Sequence, residues 1–143
     1  MKSMATAVWT GDLKSGKGLI SAGAGAFANV PYDFPKRFEG AEGSATTPEE
    51  LIASAHAGCF AMASSGALGR AGFTPESLTV KATVTIETVD GKATVSSSHL
   101  EMTGRVPGID AAKFLEIVTE AKAGCPISRL LNTTITLDAT LAG

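Results

Sequence analysis

The residues in this chain best suited to chemistry are two cysteines, Cys59 in "AHAGCF" and Cys125 in "KAGCPI", the only thiols among 143 residues. A thiol pair can pack as small hydrophobes, form a bridge, hold a metal or react in sequence. For reaction, the nucleophile is the thiolate, and a free cysteine with a pKa near ~8.5 is only slightly ionised at neutral pH. A reactive cysteine therefore needs a neighbouring cation or a helix N-terminus. His56 precedes Cys59 by three residues and shares its helix face. Together with His99 and Cys125 these side chains could in principle surround zinc. Structural zinc ligands come in close pairs, however, and His99 and Cys125 supply no second pair, so no metal is expected. His99, in "SSSHLEM", reads as a strand side chain.

Two glycine-rich stretches invite a nucleotide reading and do not sustain it. "GDLKSGKG" follows the phosphate-loop pattern for seven positions, but Gly18 stands where a magnesium-binding hydroxyl belongs. The strand-like "LISAG" follows it, so no helix N-terminus faces a phosphate. "GAGAFAN" lacks the third glycine of a dinucleotide fingerprint.

The elements that must position the cysteines are legible. "ATAVWTG" and "KGLISAG" alternate as strands joined by "GDLKSG", and the segment up to "KRFEG" has room for one short strand near its end. Thr47 is a helix N-cap, Pro48 the first helical residue and Glu50 its capping-box partner, with Gly72 as the stop. Cys59 thus lies about twelve residues into a long helix, beyond the reach of the N-terminal dipole. Two long strands meet at an Asp90-Gly91 turn. A second helix is capped by Asp110, buries Phe114, Ile117, Val118 and Ala121, and ends at Gly124 as a left-handed C′ glycine. Pro126 opens another helical turn, which puts Cys125 at its N-terminus, and "NTTITLDATLAG" closes the chain as a strand. The expectation is a single α+β domain over residues 1–143.

Composition narrows the function. Hydrophobic residues are 44% and charged residues 18% of the chain, a globular balance, and the net charge of -2 offers no basic field to nucleic acid. No apolar run is expected to reach the roughly 20 residues that cross a bilayer, and "MKSMATAVWTGD" lacks a signal-peptide core. The expected location is the cytoplasm, where a thiol pair is more often catalytic or redox-sensing than a permanent bridge.

Four ordered segments, "AVWTGDLKSGKG", "PYDFPKRFEG", "TPEELIASAHAGCF" and "VPGIDAAKFLEIVTEAKAGCPISRLL", resemble the signatures of the OsmC/Ohr family of organic hydroperoxide peroxidases, more closely its OsmC branch. The resemblance runs from Val8 to the C-terminus. It implies an intertwined homodimer with strand-rich ends wrapped around two main helices, active sites at the interface, and no metal, haem or other cofactor. It also implies roles: Cys59 as the peroxidatic cysteine, Cys125 as the resolving one, Arg37 as the residue that activates the thiolate, and Glu49 as the acid that holds Arg37. Gly58 stands where some members carry alanine or another small residue.

Physical chemistry gives those roles a reason. A buried thiolate needs a counter-charge, and a guanidinium stays charged in an apolar pocket. A buried arginine in turn needs a carboxylate. Ten helical residues place Glu49 ~15 Å from Cys59. Either Arg37 meets a Glu49 from the partner chain, or the helix begins later than Pro48. The position of Cys125 before Pro126 would lower its own pKa, so spacing alone does not say which cysteine attacks first. The resemblance assigns the attack to Cys59, and it implies an organic hydroperoxide substrate and an external dithiol reductant, which in the wider family can be a lipoyl-bearing protein. Apolar Ile52 and Phe60 either favour organic peroxides or serve as plain core. The competing functions are a non-catalytic redox-sensing or stress-induced protein with a switchable thiol pair, and an acyl-group binding protein.

Overall fold

The computed structural model covers residues 1–143, which form two compact units, Met1–Leu51 and Ile52–Gly143. In the first, β1 (Ala5–Thr10) and β2 (Lys17–Ala22) pair antiparallel with Val8 opposite Leu19, and β2 pairs antiparallel with β3 (Val30–Tyr32). The β1–β2 connection is held by Asp12, whose Oδ1 accepts the N–H groups of Lys14 and Ser15 at 2.9 Å. Gly18 has a packing role: a Cβ there would run into the ring of Tyr32, which stacks on Trp9 at a centroid distance of 5.4 Å.

The short strand expected in this region is β3, but the chain then turns into a helix, α1 (Phe34–Phe38), that the sequence reading did not foresee. Asp33 caps it, accepting from the Lys36 N–H at 2.9 Å, and a proline occupies its first turn. A five-residue helix has too little periodicity to show in the sequence. The long helix α2 (Pro48–Arg70) begins where expected, with the Thr47 hydroxyl accepting the Glu50 N–H at 3.0 Å. Its end is a Schellman motif: Gly72, at φ 90°, donates to the Gly69 carbonyl, and Phe73 N–H reaches Leu68 O at 2.9 Å.

The second unit holds the rest of α2, with β4 (Ser77–Val89), β5 (Lys92–Arg105), α3 (Ala111–Gly124), α4 (Pro126–Leu130) and β6 (Thr134–Leu141). β4 and β5 form a hairpin through Asp90 and Gly91, at φ 51° and 75°, the left-handed pair of a type I′ turn. β5 and β6 are parallel, which requires a crossover, and α3 with α4 supplies it. Alternate residues of β5, among them Ser98, Leu100 and Met102, face inward against Phe114, Ile117, Val118 and Ala121 of α3 and Phe60 and Leu68 of α2. Gly104 continues that row because a Cβ there would collide with the Phe114 ring. Gly124 is the last residue of α3, not a left-handed cap beyond it: Cys125 caps α3, donating its N–H to Ala121 O at 2.9 Å, and is also the N-cap of α4.

The expectation that no apolar run could cross a bilayer meets one weak candidate, α2. α2 is, by length and composition, long and apolar enough to cross a membrane, because alanine and glycine replace charges over most of its 23 residues. Every fourth residue from His56 to Leu68 is buried inside the second unit.

Candidate active site

The first unit positions a charge pair. Asp33 holds α1 at its N-terminus and also accepts from Lys17 Nζ at 2.9 Å. The Lys17 ammonium and then the Lys36 N–H keep its carboxyl below the usual carboxylate range. The last turn of α1 carries Arg37, whose Nε donates to Glu49 Oε1 and Oε2 at 3.1 and 3.2 Å and whose Nη2 donates to Oε1 at 2.7 Å. Glu49, in the first turn of α2, is buried at 6% exposure, so its carboxylate depends on the guanidinium. Neither alternative drawn from the helix geometry holds. The pair forms within one chain, and α2 starts at Pro48. The loop between the helices turns back through Gly40 and Gly43, both at positive φ, and Lys36 Nζ fastens to Gly43 O at 3.2 Å. Arg37 stacks over Phe38 at 4.9 Å and borders a cavity of about 200 Å³ whose other walls include Trp9, Leu13, Tyr32 and Phe34.

The second unit positions the thiols. α2 brings Cys59, half-buried, to Cys125, which has no exposed surface, and the two Sγ atoms lie 2.9 Å apart as free thiols. A disulfide would require the sulfurs to close to ~2.05 Å. Their electrostatics differ. Burial, and then the hydrogen bond shared with Cys125, push the Cys59 thiol up, against a main-chain hydrogen bond from Ile127. Burial would also raise Cys125, but the hydrogen bond from Cys59, the N–H groups of Ser128 and Ile127 and the Ser128 hydroxyl outweigh it and leave Cys125 below its ordinary value. Of the two thiols, Cys125 is thus the one shifted toward ionisation and Cys59 the one shifted away from it.

His56 was considered in the sequence only as a metal ligand. It is fully buried, with Nδ1 2.7 Å from Ser98 Oγ on β5 and Nε2 2.8 Å from Ser128 Oγ on α4. Burial lowers its pKa and keeps the ring neutral. Ser98 and Ser128 were missed; the one signal available was a serine at the third position after Cys125, in the short helix that Pro126 opens. His99 stands apart, against Asp138 at 3.1 Å and Thr136. Phe60 belongs to the core with no exposed surface, and Ile52 is half-buried.

Comparison with known proteins gives this geometry a family context. The "OsmC-like protein" family profile matches residues 41–140. The chain is 49% identical over 130 residues to the Escherichia coli (strain K12) protein named peroxiredoxin OsmC, covering 91% of this chain and 90% of that protein. It is 31% identical over 111 residues to an organic hydroperoxide resistance protein of Xanthomonas axonopodis pv. citri, covering 76% and 75%. Among solved structures, an OsmC-like protein of Vibrio cholerae superposes with a TM-score of 0.76 at 15% identity, covering 97% of this chain and 99% of that one.

Proposed function

Since the chain belongs to the OsmC-like protein family, whose relatives carry peroxiredoxin and organic hydroperoxide resistance names, we propose that it is a cysteine-based peroxidase that reduces organic hydroperoxides, and hydrogen peroxide more weakly, to alcohols. The observation that carries this reading is the pair of free thiols 2.9 Å apart, one half-buried and one enclosed. Cys59 is the peroxidatic residue because a peroxide must reach the attacking sulfur, and Cys125 has no surface to reach. The Cys59 thiolate takes the distal peroxide oxygen as the O–O bond breaks. The alkoxide leaves with a proton from solvent, and Cys59 becomes a sulfenic acid. The Cys125 thiolate then attacks the Cys59 sulfur and hydroxide departs as water after protonation, leaving the Cys59–Cys125 disulfide. An external dithiol, such as a lipoyl-bearing protein, takes the oxidising equivalents by exchange and restores both thiols.

Cys59 needs a counter-charge to ionise, since its own surroundings hold it protonated. Arg37, kept charged and oriented by Glu49, is assigned to this task. Ten helical residues separate Glu49 from Cys59, so the pair is assigned to the thiol of a second chain in a homodimer. The aromatic walls of the cavity beside Arg37 suit the hydrocarbon part of an organic peroxide better than hydrogen peroxide. The chain is read as one working domain, acting in a reducing compartment such as the cytoplasm, without metal, membrane or nucleic acid.

The deciding experiment is peroxide consumption with cumene and hydrogen peroxides and excess lipoyl dithiol. A peroxidase consumes many equivalents and prefers cumene hydroperoxide. Consumption that stops at one equivalent per Cys59 would assign the pair to a redox switch instead.

A further inference from the structure

The two cysteines stand on elements of unequal footing. Cys59 lies in the middle of the 23-residue α2, whereas Cys125 lies at the start of α4, which has five residues and none of them buried. So short a helix does not fix its own place, since isolated helices under ~12 residues are not stable in water. Ile127 packs against the core of the second unit and gives this turn one apolar hold. A polar hold comes from a residue that the proposed reaction does not use, His56.

His56 lies three residues before Cys59 on α2, and Ser128 lies three residues after Cys125 on α4. At that spacing each pair is one helical turn apart. Two contacts then join the segments like rungs: Cys59 Sγ to Cys125 Sγ at 2.9 Å, and His56 Nε2 to Ser128 Oγ at 2.8 Å. The far side of the ring is held as well, with Nδ1 2.7 Å from Ser98 Oγ on β5, the middle strand of its sheet. His56 and Ser98 have no exposed surface, so water does not compete for the ring. Either tautomer serves, because a hydroxyl accepts from the nitrogen that carries the proton and donates to the one that does not. The link therefore asks for no particular charge on either sulfur.

The two redox states make different demands on it. In the disulfide, a covalent bond ties the Cys125 turn to α2. In the dithiol that bond is gone, yet the sulfurs must stay near enough to close from 2.9 Å to ~2.05 Å. We propose that His56 is a positioning residue for the thiol pair: anchored to Ser98 on β5, it holds Ser128, and with it the Cys125 turn, against α2 while the cysteines are reduced, and so sets how readily the disulfide closes. This deepens the peroxidase reading and rests on it for the use of that closure in resolving a sulfenic acid, but its test uses no peroxide.

The chain and its variants are equilibrated with reduced and oxidised glutathione, two glutathione thiols becoming one glutathione disulfide as the Cys59–Cys125 bond is reduced. Ser128→Ala lowers the effective concentration of the pair about three- to tenfold, the worth of one hydrogen bond, which raises its reduction potential by about 15–30 mV. Ser128→Thr keeps the hydroxyl and retains the parent value. His56→Ala matches Ser128→Ala, and the double variant shows no further loss, because both changes remove the same link. Should the histidine variant fail to fold, the two Ser128 variants still decide. Hydrogen exchange locates the change. In reduced Ser128→Ala the amides of Arg129 and Leu131, bonded to Cys125 O and Ile127 O at 3.0 Å, exchange faster, and forming the disulfide slows them again. Amides of α2 and β5 exchange as in the parent. An effective concentration unmoved by Ser128→Ala, or exchange that quickens throughout α2 and β5 alike, overturns the inference. A chain that fails the turnover assay can still pass this one, so the two failures are distinguishable.

Discussion

At the scale of single residues, charge and access point to different cysteines. Cys125 has the lowered pKa, but it is enclosed, whereas the pKa of Cys59 is raised and its sulfur is reachable. If access governs the first step, Cys125→Ser still releases one equivalent of alcohol. With no partner thiol, its sulfenic acid then advances to the sulfinic state under excess peroxide. Cys59→Ser releases none, because a serine hydroxyl is not appreciably ionised. Mass spectrometry after one and ten equivalents of peroxide reads the result; two oxygens gained on Cys125 in Cys59→Ser, with Cys59 unmodified in Cys125→Ser, would reverse the roles. Arg37 is testable separately. Arg37→Ala removes the counter-charge assigned to Cys59, and each unit of lost pKa depression reduces the thiolate fraction about tenfold near neutrality. Alcohol release slows accordingly. Arg37→Lys recovers part of the rate, since a point charge does not reproduce the fork held by Nε and Nη2. An Arg37→Ala protein with unchanged single-turnover rates removes Arg37 from the mechanism. The residue types of this site were legible in the sequence. The Arg37–Glu49 pairing within one chain was not, because it depends on how a glycine-bearing loop turns back, and spacing does not encode that path.

At the scale of elements, local chemistry was legible wherever it was complete in sequence. Thr47, Asp110 and the Asp90-Gly91 turn each contain their own instructions, and the apolar stripe of α3 appears residue for residue. Two features depend on neighbours. Gly124 looked like a stop, but Pro126 restarts the helix at once, so Cys125 serves both α3 and α4 and gains the N–H groups that depress its pKa. α1 is visible only through its cap. The crossover through α3 also gives a stability prediction. Phe114, with 1% exposure, fills the place that Gly104 leaves open on β5. Phe114→Ala leaves a cavity there and costs about 3–5 kcal/mol, enough to consume much of a typical domain's stability. Chemical denaturation monitored by circular dichroism checks it. A loss below about 1 kcal/mol would mean that the site collapses around the missing ring.

At the scale of the whole molecule, the mixed α and β architecture was legible, while the division into two compact units was not, since no linker composition marks Leu51. The apolar residues left uncovered on the first unit lead to the last prediction. Val8 and Leu19 face each other across β1 and β2 yet are 57% and 44% exposed, and Leu13 and Phe38 of the same unit are 65% and 44% exposed. Single exposed apolar residues are ordinary, but a group of four on one small unit marks a surface that another molecule covers. A second copy of this chain is the proposed occupant, because the counter-charge for Cys59 is assigned to a partner chain. Sedimentation at micromolar concentration then shows a dimer, and Val8→Asp with Leu19→Asp shifts it toward monomer. In that monomer the thiols still sit within one chain, so diamide still forms the Cys59–Cys125 disulfide. Alcohol release from an organic peroxide, by contrast, falls at least as far as in Arg37→Ala. A stable monomer that reduces peroxide at the parent rate would place every group the reaction needs within one chain and end the case for a shared site.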